Sequence, residues 1–452
     1  MRTPVLLTLA AALASPPALA DDAVQSLLAA GMEAQKEGRV EAAVDRYSSC
    51  LSKDPEFVPC HWELGWAYWT RNDWAGVVEQ WRTVKRLQPD HPEVDQWLPQ
   101  AEENLANERK MAEALLNAPE SARPPLPAGT TVRLRLVGDV MIGTTSPHPT
   151  MHLPPDDGAH FFDAVKPLLA DADVTFGNLE GPLCDVTRQA QKCTGDNPCY
   201  AFKQPTRYAK HLTAAGFDLI SIANNHMLDF DGDCRQQTIA ALDKEGLAWS
   251  GPPGSIATVE VGGVKIAMVA FHTARHSNYI NDHDNAVRLV KIADATHDLV
   301  IVSFHGGAEG SRALHVPDKM ELFYGEKRGH LRRFSRDVIA AGADLVVGHG
   351  PHVLRGMEVI DGRLAAYSLG NFATYGRFNL SGNLGVTAVL EVELDHEGKL
   401  IRGKLIPVIQ TGHGVPEPDP DGKSIALVRQ LTSEDFPETG PVIAQDGTFA
   451  PK

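Results

Sequence analysis

GADLVVGHGPHVLRG, residues 342–356, decides how the chain is read. Leu345, Val346 and Val347 form a short apolar, β-branched run of the kind that fills a buried strand. The run stops at Gly348-His349-Gly350-Pro351-His352, a tight turn that carries two imidazoles three residues apart. Five other runs are built in the same way: VRLRLVGDV (132–140), ADVTFGNLE (172–180), FDLISIANNH (217–226), HDLVIVSFHGG (297–307) and RLAAYSLGNF (363–372). Helical patterns such as FFDAVKPLLADA (161–172), TRYAKHLTAAG (206–216) and RRFSRDVIAAGA (332–343) lie between them. Strands alternating with helices predict an α/β sheet covered by helices, over residues 131–410. In such sheets chemistry gathers outside the carboxyl ends of the strands. Those ends carry Asp139, Glu180, Asn225 with His226, His305, His349 with His352, and Asn371.

Two carboxylates, an amide oxygen and three imidazoles make a mixed oxygen and nitrogen donor set. It suits one or two divalent transition ions (Mn, Fe, Co or Zn) better than calcium or magnesium, which prefer oxygen alone. The expected metal ligands are Asp139, Glu180, Asn225, His305, His349 and His352. His226, next to Asn225, is the expected general acid for a leaving group. Taken singly each residue has a plainer reading. Asp139 could cap a helix, Asn225 could serve a turn, and His305 could be a structural imidazole. Convergence of six strand ends favours a site. Asp229-Phe230-Asp231-Gly232-Asp233 lacks the distal Glu of a calcium loop and reads as a turn. Arg275, His276, Arg312 and His315 read as solvated loop residues that could also meet an anionic substrate.

Outward from this domain the chain changes character. MRTPVLLTLAAALASPPALA, residues 1–20, has the charged start, short apolar stretch and A-x-A ending of a secretory signal peptide. A periplasmic or secreted protein without a transmembrane anchor is expected, since the apolar stretch is too short to span a bilayer. Residues 21–116 hold a 34-residue repeat in which Gly31 matches Gly65, Tyr47 matches Trp81 and Pro55 matches Pro89. That is the length and pattern of a tetratricopeptide-like helical module, closed by a polar helix from Glu93 to about Leu116. A Pro-rich linker, residues 117–130, follows it, and residues 411–452 read as a turn-rich tail with a helix at Ser424–Leu431. The 6 cysteines read as disulfides of an exported chain, because the CxxC pairs of a zinc site are absent. Cys50 and Cys60 could staple the two repeats. Cys184, Cys193, Cys199 and Cys234 allow three pairings. A net charge of −16 argues against nucleic acid as a partner.

GDVMIG (138–143), FGNLEGPL (176–183), IANNHMLDF (222–230), VSFHGGAEG (302–310), GADLVVGHGPHVLRG and AAYSLGNF (365–372) together resemble the CapA family of capsule and poly-γ-glutamate synthesis proteins. The resemblance spans the whole α/β domain. It implies a calcineurin-like metallophosphoesterase fold, a four-layer α/β/β/α sandwich with a dinuclear metal site. It also implies that Asp139, Asn225, His305, His349 and His352 are ligands and His226 the acid. Two positions depart from the phosphoesterase pattern. Met141 stands where a ligand His is expected. In Gly177-Asn178-Leu179-Glu180, either Asn178 or Glu180 stands for the bridging Asp. The resemblance implies an exported metal-dependent hydrolase acting on an anionic cell-envelope polymer. The alternative is a non-catalytic assembly factor that binds the polymer or its synthase, or another protein, through the repeats.

Overall fold

A computed structural model describes residues 22–452 except 38, 72, 118–125, 148–151, 191–199 and 377. The expected signal peptide, most of the expected linker, and Cys193 with Cys199 lie outside the described residues. The chain divides into two units, residues 1–106 and 107–452.

In the first unit, helices α1 (Asp22–Lys36), α2 (Val40–Lys53), α3 (Val58–Arg71) and α4 (Trp74–Leu87) pack each on the next, and α5 spans Val94–Asn117. This is an all-α module. The repeat has a steric basis. A Cβ on Gly65 would sit 2.0 Å from Nε1 of Trp81, and one on Gly31 would sit 2.3 Å from the Tyr47 ring. Each glycine lets the facing helix bring a large ring against its backbone. The Trp81 indole N–H then donates to the Trp62 carbonyl at 3.2 Å. Cys50 and Cys60 are joined, tying α2 to α3 with their Cα atoms 6.5 Å apart.

The second unit is a four-layer α/β/β/α sandwich. Its first sheet is centred on Val132–Met141, which runs parallel to Val174–Leu179 and Asn371–Thr374 and antiparallel to Val386–Leu394. The second sheet has Val264–His272, Leu299–His305 and Leu345–His349 as parallel neighbours. Leu136, Phe176, Met268, Ile301 and Val347 fill the space between the sheets. Helices Ala209–Ala215 and Gly232–Lys244 cover the outer face of the first sheet; His283–Thr296 and Leu331–Ala340 cover that of the second. No described helix is long and apolar enough to cross a membrane.

Two expectations need correction. Residues 363–372 are not one strand. Arg363–Ala366 belongs to the second sheet and Asn371–Thr374 to the first, so Tyr367–Gly370 carries the chain from sheet to sheet. Nor do residues 411–452 form a tail. Val415–Pro418 and Thr448–Ala450 both pair with Leu400–Thr411, helix Lys423–Asp435 buries Ile425, Val428 and Leu431, and Phe449 enters the core between the sheets. The prolines that suggested a tail, Pro416 and Pro418, lie on an edge strand, where a missing N–H costs no ladder bond.

Six of the 7 tryptophans lie in the helical module, so their fluorescence reports its unfolding. Gly65→Ala forces Trp81 from its seat and is expected to destabilise the module by about 1–3 kcal/mol. Denaturant unfolding followed by Trp emission checks this; an unshifted midpoint would show that the Gly–Trp contact is not tight.

Candidate metal centre

Strand register assembles the centre from two facing rows. In the first sheet Asp139 stands level with Asn178 on one side and Asn371 on the other. In the second, His305 stands level with His272 and with His349. A parallel sheet puts equivalent positions of neighbouring strands side by side, so residues that each end a strand form a row without any loop to place them. The first row is tight because Gly138 has no side chain. A Cβ there would lie 1.9 Å from the carbonyl oxygen of Gly370, and that same carbonyl accepts the Asp139 N–H at 2.9 Å.

Asp139 and Glu180 have no exposed surface. Asp139 Oδ1 lies 3.4 Å from His349 Nδ1, and Oδ2 accepts from His352 Nδ1 at 3.0 Å. The His352 N–H is shared with Asn371 Oδ1, also at 3.0 Å. Glu180 Oε2 lies 3.2 Å from His305 Nε2, and Oε1 is 3.9 Å from His226 Nε2. His352 reaches Asp139 through a left-handed backbone, φ 59°, which turns its ring back toward His349 across the intervening Gly350-Pro351. Burial works against ionisation of Asp139, but His349 and His352 outweigh it and hold its carboxyl below the usual range. Burial likewise opposes the Glu180 charge, and His305 beside it brings the net shift downward. For His352 burial favours the neutral ring, yet Asp139 pushes its pKa up to about 9.

The donor set fits a metal ion on one further observation. Glu180 Oε1, Asn225 Oδ1 and both ring nitrogens of His305 and of His349 are buried without a hydrogen-bond partner. The His305–Glu180 and His349–Asp139 contacts are close but too misaligned to be hydrogen bonds. Each stranded buried group costs about 1–3 kcal/mol. Such a cluster is comparable with the whole stability of a domain, about 5–15 kcal/mol, unless a shared ligand satisfies it. One oxygen each of Asp139 and Glu180 and one nitrogen of His305 lie within 4.8 Å of one another, close enough for one ion.

Beside this cluster His226 is held at its other nitrogen. Its Nδ1–H donates to Asp229 Oδ2 at 2.8 Å, and the same oxygen accepts the Phe202 N–H. Asp229 is therefore not merely part of a turn: a buried carboxylate orients the imidazole and leaves Nε2 toward Glu180. Asp231, its neighbour in the motif, caps the helix that starts at Gly232. Phe202 lies 4.3 Å from the His226 ring and stacks on Phe378, which in turn meets His352. Cys184 is joined to Cys234, at the start of that same helix.

Sequence reading missed His272, which ends its strand as His305 and His349 do and lies 5.5 Å, ring to ring, from His305. The signal was there, in VKIAMVAFH ending on an imidazole. Among the loop residues, His276 approaches the Asn224 carbonyl, Arg275 stacks on Tyr279, His315 binds Asp435, and Arg312 is exposed.

Two sheets meeting at a buried carboxylate–imidazole cluster define an α/β sandwich with a candidate metal centre. Residues 133–375, more than half of the sequence, match the family described as bacterial capsule synthesis protein PGA_cap, and the chain belongs to that family. It is similar to the capsule biosynthesis protein CapA of Bacillus anthracis, 26% identical over 321 residues, which are 67% of this chain and 73% of that protein. It is also similar to the PGA biosynthesis protein CapA of Bacillus subtilis (strain 168), 27% identical over 253 residues, 52% of this chain and 61% of that one. A purple acid phosphatase from yellow lupin (Lupinus luteus) seeds aligns over 65% of this chain and 54% of its own at 8% identity, with a TM-score of 0.35, too slight a likeness to carry an argument.

Divalent transition ions are expected to raise the thermal midpoint. At a free concentration 100 times the dissociation constant the gain is about 2.7 kcal/mol. A His305→Ala, His349→Ala double variant should lose the rise; a scan of both proteins with Mn and Zn against chelator reads it. Equal rises in both would detach the cluster from metal binding.

Proposed function

We propose that the protein is an exported metal-dependent hydrolase of capsule or poly-γ-glutamate metabolism, acting on an anionic cell-envelope polymer. The observation that carries this reading is the stranded cluster of Glu180, Asn225, His305 and His349 beside a carboxylate-held His226. Names of the Bacillus relatives supply the capsule connection. Asp139, Glu180, Asn225, His305, His349 and His352 would hold one or two ions of Mn, Fe, Co or Zn. An ion there would act as a Lewis acid on the oxygen of the ester or amide under attack.

The chain's own residues supply the rest. His226, with Nδ1 committed to Asp229, presents Nε2 as a place where a proton can be held for a leaving oxygen or nitrogen. Asp229 fixes the direction of the ring. Phe202 and Phe378 lie against the His226 and His352 rings and make that side of the cleft apolar. The two carboxylates repel further anions, so a polyanionic substrate needs the cation for its approach.

A second reading, a non-catalytic assembly factor, draws on the helical module. Leu28, Val58, Trp62 and Pro92 line a groove of about 370 Å³ there, with the exposed Met32 at its side. Such a surface would suit an apolar segment of a synthase or another protein. His226→Ala separates the readings. Under the hydrolase reading it keeps its metal and loses about 10²–10⁴-fold in turnover of a phosphodiester or of the polymer, followed by product release. Unchanged cell-surface polymer in a strain carrying His226→Ala would favour the assembly factor.

A further inference from the structure

Asn178 occupies the middle of the cluster and is fully buried. Its amide nitrogen lies 2.8 Å from Asp139 Oδ1 and 2.8 Å from Glu180 Oε2, so its two hydrogens go one to each carboxylate. The orientation of that amide is fixed by a chain that ends on backbone groups. Asn224 donates from Nδ2 to the Leu179 carbonyl at 2.7 Å, and its Oδ1 accepts the His226 N–H at 3.2 Å. With Asn224 so pinned, its Nδ2 also reaches Asn178 Oδ1 at 3.3 Å. The Asn178 oxygen therefore faces a donor and its nitrogen faces two acceptors; a flipped amide would set oxygen against two carboxylates.

Two buried carboxylates this close repel each other unless something stands between them. Each also has an imidazole neighbour on its far side, His349 and His352 for Asp139 and His305 for Glu180. Between one oxygen of each carboxylate stand the two N–H groups of Asn178. A neutral amide there supplies both carboxylates with a donor but cannot ligate through its nitrogen. Among the His, Cys, Asp and Glu side chains of the described residues, one group of three ligand atoms converges closely enough for an ion: Asp139, Glu180 and His305.

We propose that Asn178 is a positioning residue that limits the centre to a single ion, its amide taking the place between Asp139 and Glu180 that a second ion would otherwise fill. This rests on the metal reading given under Proposed function and narrows its count. Asn178 holds one oxygen of each carboxylate, so Asp139 and Glu180 stay turned toward the ion that they and His305 would hold. Replacing the amide by a carboxyl group leaves the shape unchanged but puts a third acid between the first two, and a second divalent cation, bound in place of the proton such a group would otherwise take up, then balances it.

The test is metal stoichiometry of the full-length mature protein, dialysed against Mn and then against Zn, read by elemental analysis and titration calorimetry on wild type, Asn178→Asp and Asn178→Ala. Wild type should hold about one ion per chain; Asn178→Asp, and Asn178→Ala with that place emptied, should each take up a second, the alanine variant holding its ions about 10–100-fold more weakly. Circular dichroism confirms that each variant is folded, and an unfolded Asn178→Ala leaves the comparison to wild type and the isosteric Asn178→Asp. Two ions in wild type overturn the single-ion proposal and leave the metal reading standing. One ion in both wild type and Asn178→Asp overturns the role of Asn178, as does undiminished affinity in a folded Asn178→Ala. No ion in wild type overturns the metal reading itself, and the proposal with it.

Discussion

Two carboxylates without any access to solvent, Asp139 and Glu180, set the terms for the rest of the α/β unit. An isolated buried charge is costly enough that it normally neutralises by taking up a proton. Here the surroundings hold both groups ionised instead. Asn178 donates to each, His349 and His352 flank one, and His305 flanks the other. Removing any of these neighbours leaves a charge less well matched than before, so the fold and the site share a single electrostatic solution. The two sheets are therefore held face to face at one end by charge, while Leu136, Phe176, Ile301 and their neighbours join them by apolar packing elsewhere.

That arrangement depends on the chain's route between the sheets. The segment Tyr367–Gly370 leaves the second sheet and delivers Asn371 to a place beside Asp139 in the first. Gly138 admits the crossing backbone, and the Gly370 carbonyl binds the Asp139 amide. The crossover thus positions both a carboxylate and the Asn371 oxygen that shares the His352 proton. A site built on strand ends joined by such a crossing is rigid by construction, in contrast with one carried on free loops.

Much of this was legible because strand ends are where sequence periodicity stops and polar residues begin. Asp139, Glu180, Asn225, His226, His305, His349 and His352 all stood at such ends, and contacts of 3.0–3.9 Å tie Glu180 to His226 and His305, and Asp139 to His349 and His352. Other features were hidden for particular reasons. RLAAYSLGNF has the composition of a continuous strand, and nothing in it marks the exchange of sheets at Tyr367–Gly370. Asp229 sits in a DFDGD pattern whose glycine and aspartates speak for a turn, so its bond to His226 depended on knowing where that turn lay. His272 was passed over because its strand, Val264–His272, is not among the six runs whose ends gave the candidate residues. The prolines of residues 415–418 concealed an edge strand, and with it the sheet contacts made by the last part of the chain.

Between Asn178 and Glu180, sequence alone gave no choice, since both stand near the expected bridging position. The geometry separates them by what each can still offer. Asn178 has its amide hydrogens and its oxygen committed within the protein, whereas Glu180 retains a buried oxygen, Oε1, with no partner. A group whose bonds are complete organises its neighbours; one with a stranded lone pair is ready to receive something. The same distinction runs through the centre. Asn224, Asn371 and Asp229 are satisfied by protein groups and act through others, while Asn225, His305 and His349 are not. The hydrogen bonds thus divide the polar residues of the cleft into those that hold and those that bind, a division that residue type alone, with asparagine and carboxylate in both groups, could never have made.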